Sequence, residues 1–124
     1  RLYVDGQLEA SDTFTGPIAG NTQPFYIGRT DTGGNSSDFL RGAVDEVRLW
    51  SVARTQQQIR DSMHGPVRGN EPGLAAYWNF ADTGSLLVSE LSENRHHGAL
   101  GGDRPEQRPV WVPSGVPGQA SSSP

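Results

Sequence analysis

The chain has 124 residues, with 16 Gly, 9 Pro and no Cys, and its formal net charge is −4 at pH 7. This Gly and Pro content favours short strands joined by turns over a helical bundle, and the lack of Cys excludes disulfides and thiolate chemistry. The acidic balance argues against nucleic acid, which binds basic surfaces. No run approaches the ~20 apolar residues of a transmembrane helix, so we expect no membrane insertion.

The first third of the chain predicts a hairpin, a strand and a polar loop. Leu2-Tyr3-Val4 alternates as a strand does, and Asp5-Gly6 supplies the two positive φ values of a type I′ turn, so a second strand should return through Gln7 to Thr13. Phe25-Tyr26-Ile27-Gly28 predicts a short strand. Thr30 to Asp38 is rich in oxygen-bearing side chains and predicts an exposed loop.

Leu40 to Trp50 is predicted to be the longest strand of the chain. Strict alternation places Glu46 and Arg48 on the same face, where their opposite charges can pair. The alternation fails near Asp45, which predicts a β-bulge at that point.

A short helix is predicted directly after this strand. Thr55 and Gln58 form a T-x-x-Q capping box, and Ile59 and Met63, four residues apart, give the helix one narrow apolar stripe. Gly65-Pro66 should end it. So short a helix cannot form a core by itself, and we expect it to cover a sheet edge or one end of a sandwich.

The second half predicts further short strands. Leu74 to Phe80 alternates cleanly, with Ala76, Trp78 and Phe80 on one face and Ala75 and Tyr77 on the other. Weaker strands are predicted at 86–88, 97–100 and 110–112.

Residues 42–59, GAVDEVRLWSVARTQQQI, resemble the closing signature of laminin-G-like domains, which belong to the concanavalin A-like jelly rolls and are related to pentraxins. Other similar segments are LYVDG at 2–6, FYIG at 25–28, GNEPGL at 69–74, YWNF at 77–80, VSELSENRHHGAL at 88–100 and PVWVPSGVP at 109–117. The resemblance implies an all-β fold over residues 1–117, a concanavalin A-like jelly-roll β-sandwich with one short helix after the main strand. Residues 118–124 then form a flexible tail or linker.

The resemblance also implies that part of the sandwich is missing. Laminin-G-like domains open with several strands before the LYVDG hairpin, and a jelly roll needs about eight strands in two sheets. We therefore expect that N-terminal strands outside this sequence, or a second chain, complete the sandwich.

Two groups of oxygen ligands could hold Ca²⁺, a cation that binds carboxylate, amide and carbonyl oxygens. Asp31, Asn35 and Asp38 lie within one glycine-containing loop, at the place where the resemblance to pentraxins implies calcium ligands. The alternative is a solvated turn without a metal.

The second group is Glu90, Ser92 and Asn94, together with Asp45. The resemblance implies a structural Ca²⁺ near this stretch in many relatives, although the family more often has Asp at the position of Glu90. The alternative is a polar turn between strands. The predicted metal ligands are therefore Asp31, Asp38, Asp45, Glu90 and Asn94.

Catalysis and zinc binding are not expected. His96 and His97 would point to opposite faces of a strand and could not easily share one ion. Glycoside hydrolysis needs two facing carboxyl groups, whereas Asp45 and Glu46 are adjacent in sequence and should point apart. The three Trp residues could stack on sugar rings, but core packing is the commoner role of Trp in alternating strands.

We therefore expect a non-catalytic binding or adhesion module of an extracellular or cell-surface multidomain protein, recognising a glycan or a protein, with structural calcium as an open option. Two alternatives remain: an accessory domain of a carbohydrate-active enzyme or protease, and a structural spacer. All ten basic residues are Arg, which together with the Gly and Pro richness suggests a GC-rich bacterial source.

Overall fold

The structure, a computed structural model, describes residues 1–32, 35–102 and 104–113. Over these residues it contains eight short strands, one α-helix and one 3₁₀ turn. In chain order they are β1 (Leu2–Val4), β2 (Gln7–Ala10), β3 (Thr30–Thr32), β4 (Asn35–Ser37), β5 (Val47–Trp50), α1 (Gln56–Ser62), β6 (Leu74–Trp78), β7 (Leu87–Val88), β8 (Gly98–Ala99) and the 3₁₀ turn Pro105–Gln107. Among the described residues, no helix has the length and apolar character needed to cross a bilayer.

The strands pair as four separate antiparallel ribbons: β1 with β2, β3 with β4, β5 with β6 and β7 with β8. The predicted predominance of strands with one short helix is therefore confirmed. The described strands do not assemble into the two continuous sheets of a jelly roll, so that finer architecture stays a prediction.

The first hairpin forms at the predicted turn. Asp5 and Gly6 both have positive φ, at 50° and 74°, as a type I′ turn requires. Strand β2 ends at Ala10, three residues earlier than predicted.

Helix α1 begins at the predicted cap and packs against this hairpin. The Thr55 hydroxyl accepts from the Gln58 backbone N–H, and the Gln58 side chain accepts from the Thr55 N–H, so the capping box is complete. Gln56 Nε2 and Arg60 Nε each donate to the Gly6 carbonyl oxygen at 2.9 Å. The helix therefore covers the turn between β1 and β2.

The core lies on β6. Ala76, Trp78 and Val88 are buried together, and the partly buried side chains packed against them are Val47, Phe80, Leu100 and Trp111. Ala76, Trp78 and Phe80 thus share one face, as the alternation predicted, while Tyr77 is buried on the other face with 1% of its surface exposed.

Five predicted features differ from those observed. The predicted strand Leu40–Trp50 starts only at Val47, because Glu46 takes a left-handed conformation with φ 53° that interrupts the extended backbone. The register irregularity lies between Leu49 and Trp50, not near Asp45. Segments 25–28 and 110–112 form no strand, and the predicted loop at 30–38 contains the ribbon β3–β4.

Segments 25–28 and 110–112 do not form the predicted strands for the same physical reason. Phe25 is 62% and Val110 82% exposed, and neither segment is paired with any of the described strands. Alternation alone does not make a strand. The predicted tail at 118–124 lies outside the described residues.

Candidate functional site

A cleft of about 390 Å³ lies between β5 and α1. Its lining combines charged, aromatic and apolar side chains: Asp45, Glu46, Arg48, Trp50, Arg54, Ile59, Ser62 and Met63. Apolar side chains and a few polar groups thus face one open cleft, which we define as the β5–α1 cleft.

A buried ion pair forms the floor of the β5–α1 cleft. Arg48 Nη2 lies 2.5 Å from Glu46 Oε2, with only 11% and 9% of the two side chains exposed. The Tyr77 hydroxyl lies 2.9 Å from both Glu46 carboxylate oxygens. The pairing of Glu46 with Arg48 predicted from their spacing is thus confirmed, and Tyr77 joins it from β6.

Arg48 also fixes the chain that follows the helix. Its Nη1 donates to the Ser62 carbonyl oxygen and its Nη2 to that of Gly65, each at 2.6 Å. The guanidinium is therefore held in one orientation by a carboxylate and two carbonyls, while its buried Nε has no partner among the described residues. A cation held this way is rigid, because moving it would leave a buried charge uncompensated.

Tyr77 is kept protonated by its surroundings. Burial of the phenol, together with its hydrogen bond to Glu46, raises the pKa of Tyr77 to about 12. The hydroxyl therefore acts as a hydrogen-bond donor near neutral pH and is a poor general base.

The upper wall of the cleft is a stacked pair. The Arg54 guanidinium carbon lies 3.9 Å from the centroid of the Trp50 ring, a cation–π contact. Trp50 ends β5 and Arg54 immediately precedes the Thr55 cap, so the turn between strand and helix brings the two side chains together.

A second polar cluster surrounds Glu90, which is 2% exposed. Its Oε1 accepts from the backbone N–H groups of Tyr77 (2.7 Å) and Ser92 (2.6 Å). Its Oε2 accepts from the Ser92 hydroxyl and the His96 N–H, both at 2.9 Å. We call this arrangement the Glu90 turn.

The Glu90 turn ties residues 90–97 to the edge of β6. Asn94 Nδ2 donates to the Ala75 carbonyl oxygen, which lies 3.3 Å from Ser92 Oγ, and the Glu90 N–H donates to His97 Nδ1 at 3.0 Å. Burial works to raise the pKa of Glu90, but its hydrogen bonds outweigh this, and the pKa is lowered. The carboxylate is stabilised by protein donors, which occupy the directions that a cation would use.

The predicted calcium ligands are only partly brought together. Glu90 and Asn94 meet at the Glu90 turn, whereas Asp45 Oδ1 accepts from the Glu46 N–H and Asp38 Oδ2 from the Thr30 hydroxyl. The side chain of Asp31, like that of Asn35, lies outside the described residues. No three Asp, Glu or His side chains within the described part of the chain are grouped to hold a metal ion.

Sequence reasoning missed the role of Tyr77, which contacts the ion pair of the β5–α1 cleft, and that of Arg54, which lines the cleft. Tyr77 lies directly opposite Arg48 in the β5–β6 register, so pairing the two predicted strands would have found it. Arg54 follows Trp50 by four residues, but the turn that brings them together has no distinctive sequence pattern.

Comparison with known proteins gives one match. Residues 1–60 match the family model described as the concanavalin A-like lectin/glucanases superfamily, under the name Laminin_G_3. No curated protein and no solved structure matches the chain. The matched segment contains strands β1 to β5 and the first turn of α1, including the whole motif at 42–59 on which the resemblance depends. Residues 1–60 are therefore similar to a laminin-G-like domain of the concanavalin A-like lectin/glucanases superfamily.

Proposed function

We propose that this chain is a non-catalytic binding module of an extracellular or cell-surface multidomain protein and that it recognises a glycan or another protein. The observation that carries the proposal is the position of the β5–α1 cleft: six of its eight lining residues, from Asp45 to Ile59, fall within the segment that matches the lectin-containing superfamily. Because one fold hosts many functions, the family match alone does not assign a ligand, and the chemistry of the cleft residues is needed as well.

The geometry of the cleft supports binding. Arg48 is held by Glu46 and by two backbone carbonyls, so its position is set before a ligand arrives and little side-chain entropy is lost on binding. Trp50, stacked with Arg54, adds aromatic surface to the cleft wall, and aromatic side chains contribute strongly to binding interfaces.

The same contacts disfavour catalysis by the cleft carboxylates. Glu46 is already engaged by Arg48 and Tyr77, so protonating it or freeing it to attack a substrate would break a buried ion pair. These contacts support a role for Glu46 in the scaffold of the binding site.

Structural calcium remains part of the proposal, at the loop that carries Asp31 and Asp38. Glu90 does not fit as a ligand in its observed arrangement, because four N–H and O–H donors surround its oxygens. A thermal melt with excess CaCl₂ and with EDTA tests the proposal, since a ligand at 100 times its Kd stabilises by ~2.7 kcal/mol. Equal midpoints in the two conditions would remove calcium from the proposal.

The binding proposal is tested by screening the chain against immobilised glycans and matrix proteins. Trp50→Leu should then weaken any binding found by about tenfold or more, because aromatic anchors commonly dominate binding energy. Trp111→Leu is the matched control, since Trp111 packs on the core and does not line the cleft. A folded chain that binds nothing in the screen would contradict the proposal and favour a structural spacer.

A further inference from the structure

Met63 carries the only sulfur atom of the chain, which has one Met and no Cys. The residue forms the C-cap of α1 and lines the β5–α1 cleft. Because Met63 is only half-buried and borders this cleft, small solutes can reach its side chain.

The sulfur of Met63 also packs against the turn of the first hairpin. A Cβ placed on Gly6 would lie 3.1 Å from Met63 Sδ and 2.7 Å from Arg60 Cγ, so the two side chains leave no room for a methyl group at this turn. Residues three apart share one face of a helix, as Arg60 and Met63 do here. They therefore form one contact surface for the Gly6 turn.

Arg60 supplies the polar part of that contact. Its Nε donates to the Gly6 carbonyl oxygen at 2.9 Å, and its Nη2 donates to Gln7 Oε1 at 2.7 Å. The hairpin thus supplies acceptors and the helix supplies donors. A thioether sulfur is only a weak acceptor, so Met63 does not compete with Gly6 or Gln7 for the Arg60 donors.

A peroxide changes this balance by converting the thioether of Met63 to a sulfoxide. The sulfur lone pair attacks one peroxide oxygen, and an S–O bond forms as the O–O bond breaks. With hydrogen peroxide the second oxygen leaves as water after proton transfer, so the sulfur is oxidised and the peroxide reduced by one electron pair. The product is a polar side chain whose oxygen is a hydrogen-bond acceptor beside the Arg60 guanidinium.

We propose that Met63 is an oxidation site whose sulfoxide releases the hairpin β1–β2 from α1. The new oxygen competes with Gly6 and Gln7 for the Arg60 donors, and the larger polar side chain no longer fits against the turn. A two-stranded hairpin alone is marginally stable in water, so a hairpin released from the helix opens more often. This site acts independently of any ligand of the cleft, and reduction of the sulfoxide restores the contact.

Amide hydrogen exchange, followed by NMR on the full chain before and after treatment with hydrogen peroxide, tests the proposal. Mass spectrometry verifies the addition of one oxygen atom to Met63. We expect the amides of the β1–β2 ribbon to exchange about tenfold faster or more after oxidation, because tenfold corresponds to about 1.4 kcal/mol and the loss of one hydrogen bond to a charged group has about this effect. The amides of the β5–β6 ribbon should keep their rates, and methionine sulfoxide reductases for both epimers should restore the original exchange in β1–β2.

Met63→Leu is the matched control, because Leu conserves volume and apolar character and has no sulfur to oxidise. Peroxide should leave exchange in its hairpin unchanged, and an equal acceleration in this variant would assign the effect to other side chains and overturn the proposal. Unchanged hairpin exchange in the fully oxidised chain would also overturn it, as would an equal acceleration in both ribbons, which indicates a general loss of stability. A Met63 that reacts with peroxide in urea but not in the folded chain would overturn it too, since the cleft would then give no access to the sulfur.

Discussion

The Tyr77 hydroxyl lies 2.9 Å from each of the two carboxylate oxygens of Glu46. Tyr77 is on β6, and Glu46 precedes β5, so this contact joins the two strands on the face opposite the apolar core. Arg48 extends it to the carbonyl of Ser62, the last residue of α1, and to that of Gly65 beyond the helix. The cluster of Tyr77, Glu46 and Arg48 therefore links both strands of the β5–β6 ribbon to the C-terminal end of α1 and the chain after it.

Removing the Tyr77 hydroxyl should destabilise the fold. Tyr77→Phe leaves a buried carboxylate with one donor fewer, and we expect the free energy of unfolding in urea to fall by about 1–3 kcal/mol. Tyr26→Phe is the control: Tyr26 is half-buried and its ring contact with Arg29 survives the change. Equal effects of the two substitutions would show that the hydroxyl of Tyr77 contributes nothing specific.

The ion pair should show strong coupling in a double-mutant cycle. Arg48→Met or Glu46→Met alone leaves an uncompensated buried charge, and each should cost about 3–5 kcal/mol. The double substitution removes both charges and should cost clearly less than the two single effects together. Additive losses in thermal or urea unfolding would mean that the two side chains act independently.

Glu90 should make stability fall in acid. The pKa of this carboxyl is lowered from 4.5 in the folded chain, so the native state binds fewer protons than the unfolded state. Its contribution is present above pH 4.5 and is lost as the pH falls through the folded pKa.

Glu90→Gln should therefore destabilise the chain at neutral pH by about 2 kcal/mol, because the amide nitrogen meets donors where an oxygen accepted hydrogen bonds. The difference from the unchanged chain should shrink as the pH is lowered below 4.5. Glu93→Gln, at an exposed residue of the same segment, is the control. A difference that stays constant with pH would rule out the titration of Glu90 as its cause.

Tyr77 should ionise late in an alkaline titration. Burial and Glu46 raise its pKa from 10.0 to about 12, so stability from the protonated phenol is present below pH 10 and lost as the pH rises towards 12. The ultraviolet absorbance of phenolate, compared between the unchanged chain and Tyr77→Phe, isolates this group. A Tyr77 signal that is complete by pH 10 would contradict the buried hydrogen bond.

Two glycines should respond very differently to a methyl group. A Cβ at Gly69 would lie 1.8 Å from the Leu91 carbonyl oxygen, in a backbone held by the bond from the Leu91 N–H to the Tyr77 carbonyl. Gly69→Ala should cost about 2 kcal/mol or more. Gly42→Ala meets nothing within 4 Å and should change stability by less than about 0.5 kcal/mol in the same unfolding assay. Similar values for the two would show that the approach of residue 69 to Leu91 is not tight.

Elements governed by local chemistry were predictable from the sequence. Asp5-Gly6 and the Thr55–Gln58 box act within a few residues, and both formed as expected. The start of β5 at Val47 was not predictable, because the positive φ of Glu46 sets it. Glu46 in this conformation contacts Arg48 and Tyr77. The strand predicted at 25–28 is absent for a related reason: a strand needs a paired neighbour, and none of the described strands pairs with this segment.

The candidate site likewise contains contacts that were predictable from the sequence and contacts that were not. The pairing of Glu46 with Arg48 was expected from strand spacing and is observed, although Glu46 lies just before β5 with a positive φ. Tyr77 required knowledge of which strands are neighbours. Glu90 was predicted as a metal ligand from the family resemblance of its segment and from its carboxylate side chain. Its role as an acceptor for the N–H groups of Ser92 and His96 depends on how the chain turns back over β6. The sequence alone does not distinguish a carboxylate that binds a metal from one that accepts backbone hydrogen bonds.

The hydrogen bonds from Gln56 and Arg60 to the Gly6 carbonyl span 50 and 54 residues of chain. Docking of the hairpin on the helix therefore has to close a long loop, whose entropic cost must be met before the contact forms. Contacts of such high sequence separation slow folding. The hairpin is expected to join the structure late during folding, and a probe at Tyr3 should then report a slower step than one at Trp78.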